Sequence, residues 1–208
     1  MPSLLPAGIR AVFFDVYGTL LDGPRRDDRG QKMSEVARQF GLHPIPQLDQ
    51  RLDQAIQDSH AQSSEPFPEI DIRELWQAIF PDLGDRDRFA FEVEEAIHPV
   101  SIVPQGAVLL EQAVQQGAAL GVISNAQAYT RSLLAQHFPH HWKSFDSELL
   151  VFSYEHRIAK PDLRLFQTAQ LPLLRRGFQP DEILMVGDSP GHDLLPAAQL
   201  GWRTLQIE

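Results

Sequence analysis

Short apolar runs bounded by turn residues recur along the chain, at 11–14, 119–123, 148–152 and 183–186, with a weaker one at 204–207. Near-continuous apolar strands are buried on both faces, as in a parallel sheet covered by helices. Helical patterns lie between them. Positions 108–116 are amphipathic and run into Gly117, a C-terminal stop. Residues 126–137 read as a second helix. A third, 161–170, opens on Pro161, whose missing N–H costs nothing in a first turn. A fourth, 193–200, stops at Gly201. This alternation predicts an α/β fold with a doubly wound parallel sheet.

Residues 22–99 break the rhythm. They hold no convincing strand and read as four helices, at 31–40, 47–62, 70–80 and 86–98, punctuated by prolines at 44, 46, 66, 68, 81 and 99. A structureless loop of this length is implausible in a compact chain. The pattern predicts a small helical cap domain, 22–99, inserted into a core made of 1–21 and 100–208. Trp76, Phe80, Phe89 and Phe91 are expected in the cap's own core or at its seam with the main domain.

Composition narrows the function classes. The chain has 208 residues, 43% hydrophobic and 22% charged, an ordinary balance for a globular protein. Its formal net charge of -10 repels nucleic acid and anionic lipid, and no long basic run offsets it. Arg25, Arg26 and Arg29 alternate with Asp27 and Asp28, as in a solvated loop. The absence of cysteine removes disulfides, thiolate metal sites and Cys nucleophiles. No apolar run reaches the ~20 residues of a membrane span, and the first ten residues do not look like a signal peptide. A cytoplasmic location is the expectation.

The residues with chemistry stand at strand ends, where α/β folds bind their ligands. Asp15 follows the first run directly. Ser124 and Asn125 close the second, offering neutral donors for phosphate oxygens or a cap for the next helix. Lys160 follows the third. Asp188 and Asp193 follow the fourth, in Gly187-Asp188-Ser189-Pro190-Gly191-His192-Asp193. Such carboxylates repel one another unless a cation joins them, and oxygen ligands suit Mg²⁺. Singly, each motif also has a plain reading as a cap, a surface lysine or an acidic loop.

Together, Asp15-Val16-Tyr17-Gly18-Thr19-Leu20, Ser124-Asn125, Lys160-Pro161 and Gly187-Asp188-Ser189 with Asp193 resemble the haloacid dehalogenase (HAD) superfamily, in the branch with a cap inserted after the first motif. The resemblance implies a Rossmann-like core and a Mg²⁺-dependent hydrolase in which Asp15 becomes an aspartyl-phosphate. It implies Mg²⁺ held by Asp15, Asp188 and the main-chain carbonyl of Tyr17, with Asp193 beside it holding a metal-bound water or Lys160. Thr19, Ser124 and Asn125 would bind phosphoryl oxygens, and Lys160 would stabilise the transition state. The expected partner is a small phosphate ester, and the expected assembly a monomer or homodimer.

One position departs from the phosphatase pattern. Family phosphatases usually carry an acid/base aspartate two residues after the nucleophile, and here that residue is Tyr17. A phenol with a pKa near ~10 is a poor base at neutral pH. Tyrosine there resembles the family's 2-haloacid dehalogenases, which work without metal and seat halide on an arginine early in the cap. Arg38 and Arg51 are the candidates for that arginine, while Asp188 argues against this chemistry. A catalytically weak binding module is the other alternative. A cap carboxylate or histidine, or Asp22, is a candidate replacement acid. His137, His140 and His141 read as a solvated helix end, and His192 as a residue that contacts substrate or faces solvent.

Overall fold

The computed structural model describes residues 4–43 and 45–207. Five parallel strands form one sheet in the order β5-β4-β1-β6-β7: β1 Ala11–Phe14, β4 Ala119–Ser124, β5 Phe145–Phe152, β6 Ile183–Gly187 and β7 Arg203–Gln206. β2 Leu21–Asp22 and β3 Ser101–Ile102 pair antiparallel outside it. The two-residue period of the strands divides the core between the faces. Val12, Phe14, Val122 and Val186 point to the face covered by α5 Pro104–Gln115 and α6 Thr130–His137. Ala11, Phe13, Ile123 and Met185 point to the face covered by α8 Leu163–Arg175 and α9 Leu195–Gln199. The doubly wound parallel sheet expected from the sequence is therefore present. A four-residue helix, α7 Ser153–His156, follows β5.

Between β2 and β3 run four helices: α1 Arg29–Gln39, α2 Leu48–Gln62, α3 Ile72–Ile79 and α4 Arg86–Ile97. They enclose a hydrophobic cluster of their own, in which the Phe89 ring meets Trp76 and Phe80 edge-on at 5.2 and 5.8 Å. Truncating Phe89 there costs about 3–5 kcal/mol by the general cost of deleting a buried aromatic. Phe91, by contrast, packs against the main core. Asp71 and Asp85 start α3 and α4 by accepting hydrogen bonds from the main chains of Arg73 and Arg88, both at 3.0 Å. The β2–β3 pair ties together the two chain segments that lead into and out of this helical cap.

Several boundaries differ from the sequence pattern. The segment 126–129 is a loop, and α6 starts only at Thr130. Within this loop Gln127 reaches the cap, accepting from the Ile72 main chain at 2.8 Å and donating to Ile70 O at 3.0 Å. Pro161 does not open a helix. The Lys160–Pro161 peptide is cis, and Asp162 caps α8 by accepting from Arg164 N at 2.9 Å. The predicted helix 193–200 is shared between a π-turn, Pro190–Leu194, and α9. The bridge between Pro68 and Ile158 adds a strand-like contact in the proline-marked connection between the predicted helices 47–62 and 70–80. No helix among the described residues is long and apolar enough to cross a membrane.

Candidate active site

β1, β4 and β6 end side by side, and the parallel register brings their C-terminal residues to one rim. The Asp15 main chain continues the ladder, donating to Val186 O at 2.9 Å, so its side chain leaves the sheet at a fixed point. A tight loop follows, with Gly18 at φ +83° and Leu21 N donating to Val16 O at 2.9 Å. Glycine is required here for space as well as for conformation. A Cβ on Gly18 would stand 2.6 Å from Asp188 Oδ2, and one on Gly187 would stand 2.4 Å from Asp193 Oδ2.

The resulting cleft, about 230 Å³, is lined by Asp15, Tyr17, Ser124, Asn125, Lys160, Asp188, Ser189, His192 and Asp193. Carboxylate oxygens of Asp15, Asp188 and Asp193 lie within 4.8 Å of one another, the one such acidic or imidazole group among the described residues. Asp188 is the most exposed of the three.

Lys160 joins the cluster. Its buried Nζ donates to Asp15 Oδ1 at 2.7 Å, to Asp193 Oδ1 at 2.5 Å and to Ile123 O at 3.2 Å, which uses all three ammonium hydrogens. Burial alone would push the Lys160 pKa down, but the charges of Asp15 and Asp193 outweigh it and hold the ammonium above its ordinary value. Burial lifts Asp193 above the ordinary carboxylate range in spite of Lys160. The Lys160 main chain is clamped at both ends by Asn125, whose Oδ1 accepts from Lys160 N at 2.6 Å and whose Nδ2 donates to Lys160 O at 3.1 Å.

The remaining expected residues fall into distinct settings. Ser124 Oγ and Thr19 Oγ1 are buried with no hydrogen-bond partner among the described residues. Ser124 lines the cleft, and Thr19 is fully buried. The Tyr17 hydroxyl lies 3.0 Å from Thr130 Oγ1, and its ring stacks on His98 at 5.7 Å. Burial, helped by the charge of Glu94, pushes the Tyr17 pKa well above its ordinary value. His192 does border the cleft, with Nδ1 at 3.1 Å from Ser189 Oγ. Arg38, Arg51 and Asp22 are exposed and line no part of the cleft. His141 is engaged with Glu111 at 2.6 Å.

Sequence reasoning missed what joins the cap to this rim. Ser153 Oγ donates to Glu69 Oε2 at 2.6 Å, Glu69 N to Arg157 O at 3.1 Å and Ala159 N to Phe67 O at 2.8 Å. The loop before Lys160 is thereby held from the cap side. No local pattern around Glu69 announces this, because Ser153 and Arg157 lie more than eighty residues away.

Residues 9–201 match the family of haloacid dehalogenase-like hydrolases. The Rhythmically expressed gene 2 protein of Drosophila melanogaster is 34% identical over 88 residues, 42% of this chain and 32% of that protein, so the match spans about a third of that relative's length. Among solved structures, a HAD phosphatase from Thermococcus onnurineus superposes with a TM-score of 0.63 at 20% identity, over 96% of this chain and 86% of that one. A HAD family enzyme from Bacteroides thetaiotaomicron, in complex with magnesium and inorganic phosphate, gives 0.62 at 15% identity, over 96% and 94%. A dehalogenase gives 0.56 at 21% identity, over 98% and 87%. These likenesses show the fold, and the family match across nearly the whole length shows that the chain belongs to the haloacid dehalogenase-like hydrolases.

Proposed function

We propose that this hydrolase is a Mg²⁺-dependent phosphatase that cleaves a small phosphate ester through an aspartyl-phosphate at Asp15, with 22–99 acting as a cap over a core of 1–21 and 100–208. The observation that carries the reading is the gathering of Asp15, Asp188 and Asp193, two of them, Asp15 and Asp193, paired to one buried ammonium. Three carboxylates against one lysine leave the cleft too negative for a phosphate dianion to approach unaided. The donor set fits a hard cation, which Asp15, Asp188 and the Tyr17 main chain would hold with Asp193 alongside. Such an ion supplies charge neutralisation and polarises the phosphoryl group. The solved relative with magnesium and inorganic phosphate supports the same reading.

The chain's own groups then divide the labour. An Asp15 carboxylate oxygen bonds to phosphorus as the ester P–O bond breaks, and the leaving oxygen departs with the bonding pair and takes a proton. Lys160, oriented by Asn125 and Asp193, holds its charge beside the reacting oxygens. The unpartnered Ser124 hydroxyl, on the cleft wall, is available to a phosphoryl oxygen, and Asn125 beside it fixes the Lys160 main chain, while Thr19 is fully buried outside the cleft lining. Water hydrolyses the acyl phosphate to restore Asp15. Tyr17, with its raised pKa, stays neutral and removes no proton from that water at neutral pH. Esters whose leaving groups depart without protonation are therefore the better substrates.

Phosphate release from p-nitrophenyl phosphate and acetyl phosphate, with Mg²⁺ and with EDTA, tests the proposal. Release that requires Mg²⁺ and vanishes in Asp15→Asn is the expected result. Silence on both esters, with metal-free halide release from 2-chloropropionate, would replace it with a dehalogenase.

A further inference from the structure

A second cavity of about 230 Å³ lies in the cap. Its wall is chiefly apolar, formed by side chains such as Ile56, Ile72, Trp76, Val93 and Tyr129. The charged groups on it are already engaged: Arg29 with Asp53, Glu94 with His98 and with Arg25 at 4.0 Å, and Glu69 with Ser153 and Gln127. His60 differs. It lines the cavity, and its buried Nε2 has no hydrogen-bond partner among the described residues. A buried polar atom without a partner is a cost that a ligand can relieve.

The cavity shares a wall with the Asp15 cleft. The segment 124–129 contributes Ser124 and Asn125 to the cleft and Gln127 and Tyr129 to the cavity. Tyr17, on the cleft side, bonds to Thr130 at the end of this segment. The cleft and the cavity thus lie on either side of the segment 124–129.

Resting on the phosphatase reading, we propose that this cavity receives the leaving group of an ester held at Asp15 and that, among alkyl phosphates, it selects those of compact, mainly apolar, arylalkyl alcohols bearing one hydrogen-bonding atom that meets His60 Nε2. The volume falls below the roughly 300–1,000 Å³ of pockets for larger ligands. A polyhydroxylated leaving group would strand hydroxyls against apolar walls, at about tenfold in binding or more for each one. A single polar tip opposite His60 leaves nothing stranded.

The test compares kcat/KM for 2-(4-hydroxyphenyl)ethyl phosphate, 2-phenylethyl phosphate and glycerol 3-phosphate, all esters of primary alcohols, with acetyl phosphate as a substrate too small to reach the cavity. We expect the hydroxyphenyl ester to exceed glycerol 3-phosphate by about tenfold or more, and to exceed its phenyl counterpart by about tenfold, the value of one hydrogen bond. His60→Leu should erase the second preference. Ile56→Phe should raise KM for both aryl esters by about tenfold while acetyl phosphate turnover stays unchanged. Equal rates on the aryl and glycerol esters would overturn the inference. So would an Ile56→Phe variant with a higher melting temperature and unchanged kinetics, which would mark a packing void. Loss of acetyl phosphate turnover in the unmodified enzyme would instead fell the phosphatase reading, and this inference with it.

Discussion

The Asp15 cleft and the cap cavity have the same volume and opposite construction. At the cleft the key side chains stand at or just beyond the ends of parallel strands, and they are locked to one another: Lys160 uses every ammonium hydrogen, and Asn125 clamps its main chain. In the cavity the wall comes from four helices, the cap loops at Arg25 and 69–70 and one core loop, contacts are mostly apolar, and His60 Nε2 has no partner among the described residues. The difference teaches that charge chemistry here depends on directional, mutually satisfied contacts. On the proposed reading, selection of the leaving group rests on volume and on a single polar point.

Removing Lys160 should produce the largest effect. With side-chain exposures of 3% for Lys160, 9% for Asp15 and 0% for Asp193, Lys160→Met leaves two carboxylates without their counter-charge. A loss of about 3–5 kcal/mol in stability is expected from denaturant unfolding at neutral pH. A loss below about 1 kcal/mol would show that the cluster is not locked in this way. Because the Lys160 pKa is raised on folding, its contribution is complete below the unfolded value near ~10.4 and fades as pH rises through the folded value.

Asp188→Ala separates charge chemistry from folding. Asp188 is the exposed member of the triad and makes no ion pair with Lys160. Activity should fall roughly 10²–10³-fold, in line with the several kcal/mol a bound cation contributes, with unfolding almost unchanged. An equal loss of stability would place Asp188 in the structural lock instead.

Tyr17→Asp comes next, since it puts a carboxylate where the acid/base is missing. Alkyl phosphate turnover should rise by about 10²-fold, with little change on acetyl phosphate, whose leaving group needs no proton. Equal gains on both would mean that proton transfer is not what Tyr17 withholds.

The smallest effect probes the cap. Asp71 caps α3, and although burial alone would raise its pKa, the hydrogen bonds from Arg73 hold it below the usual carboxylate value. Asp71→Ala should cost about 1 kcal/mol at pH 7 by thermal or denaturant unfolding. A depressed carboxyl contributes its stability above the unfolded value near ~3.9 and loses it as pH falls through the folded one. The gap between wild type and variant should therefore narrow below about pH 4, and a gap that widened in acid would contradict the Arg73 pairing.

Much of the core is legible in the chain. Doubly buried strands leave apolar runs that hold their meaning out of context, and the order of Asp15, Ser124, Lys160 and Asp188 along those runs points to one rim. Boundaries were legible only where a local signal dominates. Residues 126–129 have helical character, yet they form a loop because Gln127 gains main-chain partners in the cap. Pro161 fits a helix start by pattern, but the Asp162 carboxylate takes the cap position next to it.

What the sequence determined by itself was the alternation of the core, the helical character of 22–99 and the family of the four motifs, because strand burial, helical period and short motifs are properties of neighbouring residues. What only the tertiary structure decided was partnership. Lys160 faces Asp15 across 145 positions, Glu69 meets Ser153 across 84, and His60 Nε2 is left without a partner among the described residues, in a cavity walled by distant helices. Such contacts depend on how the whole chain packs, and the free energy of each belongs to a pair of atoms that no window along the sequence contains.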